Sequence, residues 1–404
     1  MRILCGTVLA AALAVAAVPA AYSEIKLVEP APGAVVPLLT DAQKAYVSMD
    51  RQTRREKFAD AKFRSDEMGL PAEKIPGVKR PREAFWPKTV RLAWEAKNGE
   101  EYRIVVRDTA KGTVVIDEKA KCGELYVDNL EIAASYEWTV EGDGDSGKGT
   151  FKTEDRVPRL IRFPGVPNVR DLGGYIGFGG RRARQGMIFR SAGLNSNAQE
   201  IYYTADELKA MGKPTDEKVK KGVSKGKSRV EGENGAYILA RFGIKSDIDL
   251  RSDRECYGMT GSPLGDAVTW FHYPSSAYGG MQGKSGKEAF AKVFKVFLDK
   301  KNYPIDFHCI LGRDRTAAVA FILGALLGYD ENILSLDWEL TGFRNRSPNF
   351  NHKNNFDHLV GGFAKNYPAD TIQESVEKYV RDLGFTDDDI AKFRSIMLYE
   401  EGKK

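Results

Sequence analysis

Cys309 and Arg315 stand six positions apart in DFHCILGRDRTAAVAFILGALLG, residues 306–328. A cysteine attacks as its thiolate, and a guanidinium offers a planar fork of donors that matches two oxygens of a phosphate. The neighbouring residues favour both roles. YPIDFHC, before the pair, has the length and apolar content of a strand; TAAVAFILGALLG, after it, is apolar and helix-forming. Residues Ile310 to Arg315 therefore turn from strand to helix. Such a turn aims backbone N–H groups and the positive end of the helix dipole at one point, which makes an anion site. Ile310, Leu311, Gly312, Arg313, Asp314 and Arg315 are the expected phosphate cradle, with Gly312 permitting the tight curl. Cys309 lies at its base, where the same field favours thiolate over thiol. Thr316 is placed to donate its hydroxyl to the sulfur. The chemistry indicated is nucleophilic attack of sulfur on a phosphorus atom.

The rest of the chain limits where that chemistry happens. Its 404 residues allow two or three domains, and 42% hydrophobic with 29% charged residues is ordinary for a soluble globular protein. The net charge of +5 comes from basic residues interleaved with acidic ones, which argues against a nucleic-acid partner. MRILCGTVLAAALAVAAVPAAYSE has one cation, an apolar run and small residues before Ser23, the layout of a cleaved export signal over residues 1–23. No later segment is apolar enough to span a bilayer, so a periplasmic or secreted protein without stable membrane insertion is expected. Removing the signal leaves Cys122, Cys256 and Cys309, an odd number that does not suit a disulfide scaffold. Cys122 and Cys256 fit buried, inert positions; Cys256 becomes a resolving thiol only if it lies beside Cys309.

Two regions must carry the site. Residues 24–155 read as an antiparallel β-sandwich: VRLAWEA, YRIVV, TVVID, LYVDNL and YEWTV alternate apolar and polar residues, with Gly, Asn and Asp turns between them. The patterning resembles a fibronectin type III-like domain, which implies a spacer or a surface binding protein or glycan. Residues 41–67 interrupt it with a charged, helix-permissive stretch, expected as a solvated insertion. Residues 156–404 alternate strands and helices, the mark of an α/β domain whose central sheet is flanked by helices. Residues 206–235, rich in Lys and Gly, are expected to be a mobile, partly disordered surface insertion. The fold class is thus multi-domain, a sandwich followed by an α/β catalytic domain.

HCILGRDRT, residues 308–316, resembles the signature loop of the Cys-x5-Arg protein tyrosine and dual-specificity phosphatases. NVRDLGGY (168–175), GMIFRSAGL (186–194), GIKSDIDLRSDRE (243–255) and then HCILGRDRT follow the order typical of the bacterial tyrosine phosphatase family 3. That family includes secreted tyrosine and lipid phosphatases. SLDWELTGF, residues 335–343, resembles the helix that follows the loop in that branch. The resemblance covers about residue 160 to the C-terminus. Arg313 stands where members often carry Lys, and Ala317 where they often carry Gly.

The resemblance implies a two-step phosphomonoester hydrolysis by Cys309 and Arg315, without cofactor or metal, and implies that the loop Asp314 can serve as acid. Asp249 and Asp253, at another strand end, compete for that role; each could instead orient an arginine such as Arg251 or Arg254. Arg170 and Asp171 are expected to brace the loop by hydrogen bonds, Arg190 to add charge at the rim, and a neutral His308 to shape the backbone. No HExxH or paired Cys/His spacing suggests a metal, and His352 and His358 read as surface residues. The expected substrate is a phosphorylated protein, phosphotyrosine first. Inositol phosphates or phosphoinositides are the alternative, and a non-catalytic phosphate-binding adhesion module is the alternative of another class.

Overall fold

The computed structural model of the chain describes residues 25–60, 62–63, 86–97, 99–142, 144–343 and 356–400. The expected export signal, the end of the 41–67 segment and His352 lie outside the described residues. The chain forms two compact units. One comprises the chain up to Ala34 with Arg91–Leu125 and Tyr136–Phe151; the other comprises Val35–Val90, Tyr126–Ser135 and Lys152–Lys404.

β1 (Leu27–Glu29) and β2 (Ala34–Val36) flank a Pro/Gly corner, and helices α1 (Asp41–Val47) and α2 (Arg51–Ala59) follow. Then come β3 (Val90–Trp94), β4 (Tyr102–Asp108), β5 (Val114–Ala120), β6 (Glu124–Val127), β7 (Ser135–Gly142) and β8 (Asp145–Thr153). They form a three-stranded sheet, β1-β3-β6, and a five-stranded sheet, β2-β8-β7-β4-β5. β4 shows why these segments are strands. Tyr102, Ile104, Val106 and Asp108 are buried while Arg103 and Arg107 are exposed and Val105 is half-buried, the period-two alternation of a sheet with one covered face.

The α/β unit continues with β9 (Arg170–Asp171), β10 (Ile188–Ala192), β11 (Gln199–Tyr202), α3 (Ala205–Ala210), β12 (Lys220–Ser224) and α4 (Glu233–Phe242). Next are β13 (Ser246–Asp249), β14 (Thr269–His272), α5 (Lys284–Phe297), β15 (Ile305–Cys309) and α6 (Arg315–Leu326). Helices α7 (Glu331–Leu340), α8 (Phe356–Asn366), α9 (Ile372–Asp382) and α10 (Asp387–Met397) complete it. The central sheet has the order β14-β13-β15-β10-β9. β13 is parallel to β14 and β15, β10 is parallel to β15, and only β9 runs antiparallel, against β10. β15 is buried along its whole length, as a strand covered on both faces must be. α6 is buried from Thr316 to Leu326; a helix apolar on every side belongs inside the domain. Ala192 pairs with Cys309, and Asp249 with His308, so three parallel strands end together at the carboxyl edge of the sheet. Ligand sites of open α/β sheets lie at such edges.

Two expectations need correction. The 206–235 insertion is not irregular throughout: β12 pairs antiparallel with β11, and α3 carries a capping box between Thr204 and Glu207. Regular pairing absorbs the backbone polar groups that the Lys and Gly content seemed to leave to water. The charged 41–67 segment is also not merely a solvated face. Leu39, Tyr46 and Phe63 share a core with Leu160, Leu336 and Leu340. Arg54 is wholly buried, and every one of its five N–H groups is bonded. Nε meets Glu339 Oε2 at 2.6 Å, Nη1 meets Met49 O at 2.8 Å and Asn332 Oδ1 at 2.9 Å, and Nη2 meets Ser335 Oγ at 3.0 Å and Asn332 O at 3.3 Å. A guanidinium so satisfied can be buried, which charge content alone does not reveal. Arg54→Met leaves Glu339 buried without its partner. It should destabilise the α/β unit by about 3–5 kcal/mol in urea unfolding, while the double variant with Glu339→Leu recovers most of the loss.

Candidate active site

β15 delivers Cys309, 2% exposed, to the start of the loop, and α6 begins six residues later at Arg315. The loop carbonyls are tied outward one by one. Gly193 N–H donates to Ile310 O at 3.2 Å; Asn168 Nδ2 donates to Leu311 O at 2.8 Å and to Gly312 O at 3.0 Å; Arg190 Nη2 donates to Gly312 O at 2.6 Å. In a planar trans peptide the next N–H points opposite the carbonyl. The N–H groups of Leu311, Gly312 and Arg313 are thereby turned inward, and that of Leu311 reaches the sulfur. Asp314 occupies the N-cap of α6 without a side-chain cap bond, so the first amides of the helix are not covered by it. Gly312 has φ +64°, and a Cβ there would lie 2.4 Å from Ser191 O. Only glycine fits that curl.

Electrostatics follow from this frame. Burial alone would raise the Cys309 thiol. The Thr316 hydroxyl and N–H, the Arg315 charge and the Leu311 N–H outweigh it and hold the thiol below its ordinary value. Arg315 is held by Glu255: Nη1 donates to Oε2 at 2.7 Å and Nη2 to Oε1 at 3.1 Å, with a further bond from Nη1 to Leu250 O at 3.3 Å. Among the described residues, no hydrogen-bond partner meets its Nε–H or the second Nη2–H, and these remain for an oxyanion.

Several expected supports lie elsewhere than expected. Arg190 is not at the rim. It is wholly buried behind the loop, bonded to Gly312 O and to Asp337, because β10 is an interior strand whose residues are all enclosed. Arg170 does brace the loop, but through intermediaries: its Nη1 donates to Asn168 Oδ1 at 2.7 Å and its Nε to Asp337 Oδ1 at 2.6 Å. Asp171 turns away from the loop and accepts from Arg159 Nη1 at 2.7 Å, Gly186 N–H at 2.6 Å and Gly173 N–H at 2.8 Å. Neighbouring residues of a strand face opposite ways, so Arg170 and Asp171 cannot both reach it. For His308 the neighbouring carboxylates favour the charged ring over the expected neutral one. Burial opposes its charge, but Asp249 and Asp247, the latter 2.9 Å away, push its pKa up to about 9. Cys122 is exposed, with its Sγ 3.3 Å from Glu124 O, rather than buried. Cys256 is buried, but its thiol donates to Asp249 Oδ2 at 3.2 Å and is pushed up by burial and by that carboxylate, which makes it a poor attacking thiol.

The three candidate acids separate cleanly. Asp249 is buried; although burial favours its neutral form, His308 and Arg251 hold it well below the usual carboxylate range, with Arg251 Nη2 at 2.6 Å. It is an arginine-orienting group. The Asp253 side chain is 92% exposed and sits 3.8 Å from His272 Nδ1. Asp314, 28% exposed, lies in the loop itself, where its Oδ1 accepts from the Tyr278 hydroxyl and from Arg313 Nε at 3.1 Å.

Four residues of the site escaped the sequence reading: Glu255, Asn168, Asp337 and Tyr278. Asn168, Glu255 and Asp337 stand within the motifs quoted above, and Asn168 adopts φ +63°, a left-handed conformation that asparagine tolerates. That conformation aims its amide at the loop. Asp337 lies on α7, where burial is outweighed by Arg170 and Arg190 and its pKa is lowered. Asp247, Asp306 and His308 bring ligand-type atoms within 4.8 Å of one another. His308 Nε2 lies 2.9 Å from Asp247 Oδ1, and burial raises the Asp306 carboxyl to about 7. The cluster reads as an ionic core beneath the loop.

A family model for the tyrosine phosphatase family matches residues 161–210 and 216–399. No curated protein matches the chain.

Proposed function

Because the chain belongs to the tyrosine phosphatase family, and so is a phosphatase, we propose that it hydrolyses phosphomonoesters, phosphotyrosine first among them, through a phosphocysteine intermediate. One observation carries this reading. A cysteine with a depressed pKa sits at the base of a loop whose carbonyls are pulled outward, beside an arginine fixed by a bidentate carboxylate. An anion receptor needs the amides and the arginine, but not the thiolate.

The Cys309 thiolate attacks phosphorus in line; the S–P bond forms as the ester P–O bond breaks. Arg315 and the inward amides hold the equatorial oxygens, and Asp314 gives its proton to the leaving oxygen. Water then attacks the phosphocysteine, Asp314 takes its proton, and inorganic phosphate departs with the thiolate restored. Arg315, the amides and the α6 dipole supply the positive field, so the reaction is expected to run undiminished in EDTA. With Arg190 behind the loop and Arg315 on the phosphate under attack, Arg313 is the one of the three expected cations left for the rim. That count suits a single phosphate better than a multiply phosphorylated inositol ring. The first 23 residues are read as an export signal, giving a periplasmic or secreted enzyme, and the β-sheets before the catalytic domain as a fibronectin type III-like part that contacts protein or glycan. Among the described residues, no helix is long and apolar enough to cross a membrane.

A panel of phosphotyrosine peptides, aryl phosphates, phosphoinositides and inositol phosphates, assayed in EDTA, tests the substrate class. Asp314→Asn tests the acid. Phosphotyrosine, with its poor leaving group, should slow about 100-fold and p-nitrophenyl phosphate only a few-fold. Equal slowing of the two would remove Asp314 from the role.

A further inference from the structure

We propose that Tyr278 is a positioning residue for the acid–base step: its hydroxyl holds Asp314 by Oδ1 and so leaves Oδ2 to exchange the proton with the leaving group. The proposal rests on Asp314 being the acid.

The bonding of Asp314 is lopsided. Among the described residues, the two donors that meet its carboxylate, the Tyr278 hydroxyl and Arg313 Nε, meet the same oxygen, Oδ1. An aspartate at a helix N-cap ordinarily accepts from the helix's own amides, and Asp314 makes no such bond. Its carboxylate has been drawn away from α6 and toward Tyr278. That leaves Oδ2, on a carboxylate 28% exposed in the loop, as the oxygen placed for proton transfer.

Tyr278 is held in place at a conformational cost. Its φ is +54°, in the left-handed region that a non-glycine residue seldom occupies. Conformations of this kind persist where the surroundings over-determine them, and they cluster at functional sites. Here the surroundings do so from two sides. The ring packs at 5.7 Å, tilted by 54°, against Trp338 of α7, the neighbour of Asp337. The turn that follows is pinned: Tyr379 donates to Met281 O at 2.8 Å, and Gly286 approaches Gly280 O so closely that a Cβ would lie 2.0 Å from it. Burial and the bond to Asp314 keep the phenol protonated, as a donor must be. Nothing in the packing of the ring needs the hydroxyl, so the oxygen is separable from the fold.

Tyr278→Phe in the full chain removes that oxygen and keeps the ring. The expected result is a partial copy of Asp314→Asn: kcat on phosphotyrosine peptide falls about tenfold, while kcat on p-nitrophenyl phosphate stays within about twofold. Vanadate affinity and the thermal midpoint should stay near the parent values. In the Asp314→Asn background, Tyr278→Phe should cost nothing further, because the two residues act as one unit. A uniform slowing of both substrates, a parallel loss of vanadate affinity, or a multiplicative loss in the double variant would overturn the proposal and make Tyr278 a support of the loop. A steep leaving-group response in Asp314→Asn with a flat one in Tyr278→Phe rejects Tyr278 alone. A flat response in Asp314→Asn itself removes the acid, and this proposal with it.

Discussion

Cys309→Ser is expected to lower turnover of every phosphomonoester by about 10⁴-fold or more, because a serine hydroxyl at this position has no base to activate it. The cradle does not depend on sulfur. Its shape is set by Gly193, Asn168 and Arg190 holding the carbonyls of Ile310, Leu311 and Gly312, and its charge by Arg315 on Glu255. The serine variant should therefore still bind a phosphotyrosine peptide, measured by calorimetry, with an affinity close to the parent Michaelis constant. Retained turnover would remove Cys309 as the nucleophile. The same thiol gives a pH test. Its folded pKa lies below that of a free cysteine, so the thiolate persists as pH falls into a range where an ordinary thiol is protonated. Inactivation by iodoacetamide should then reach half its plateau rate below the ordinary cysteine value, and inorganic phosphate should protect. An ordinary thiol profile would show that Thr316, Arg315 and the Leu311 amide do not act on the sulfur.

Gly312→Ala is expected to be nearly as damaging to activity, for a steric reason. A Cβ at this position would lie 2.4 Å from Ser191 O and 2.7 Å from its carbonyl carbon, both backbone atoms of an interior strand that cannot yield. The residue also needs φ +64°. The loop must therefore open. Moving the Gly312 carbonyl releases the bonds from Arg190 and Asn168, and the amides lose their common focus. A fall in kcat/KM of about 10³-fold, with vanadate affinity lost in proportion, should accompany a modest loss of about 1–3 kcal/mol in stability. Arg190 would then be left buried and less well paired, although it remains bonded to Asp337. A variant that keeps vanadate affinity would show that the curl is not what presents the amides.

The contrast between these residues and their partners shows what was legible. Cys309, Gly312 and Arg315 could be read because a strand, a loop and a helix are local patterns, and a thiol at the mouth of a helix has few other uses. The alternating strands of the first sheets and the all-apolar α6 were visible for the same reason. Sign and direction were not. Arg190 looked like a rim cation, yet it lies beneath the loop, since the face a strand residue takes depends on what covers the sheet. His308 looked neutral until Asp247 and Asp249, on a neighbouring strand, came within reach of it.

Arg54 shows the limit most plainly. Its segment has the composition of a solvated helix, and only the folded chain reveals that Glu339, Ser335 and Asn332 satisfy it in the interior. The amino-acid order was enough to point to Cys309, to the loop that follows it and to the α/β scaffold, because each arises among residues close along the chain. The third dimension chose the partners: Glu255 for Arg315, Asn168 for the loop carbonyls and Tyr278 for Asp314. Those pairings join residues 36 to 144 positions apart, and an ion pair or a hydrogen bond carries no periodicity for a sequence to display.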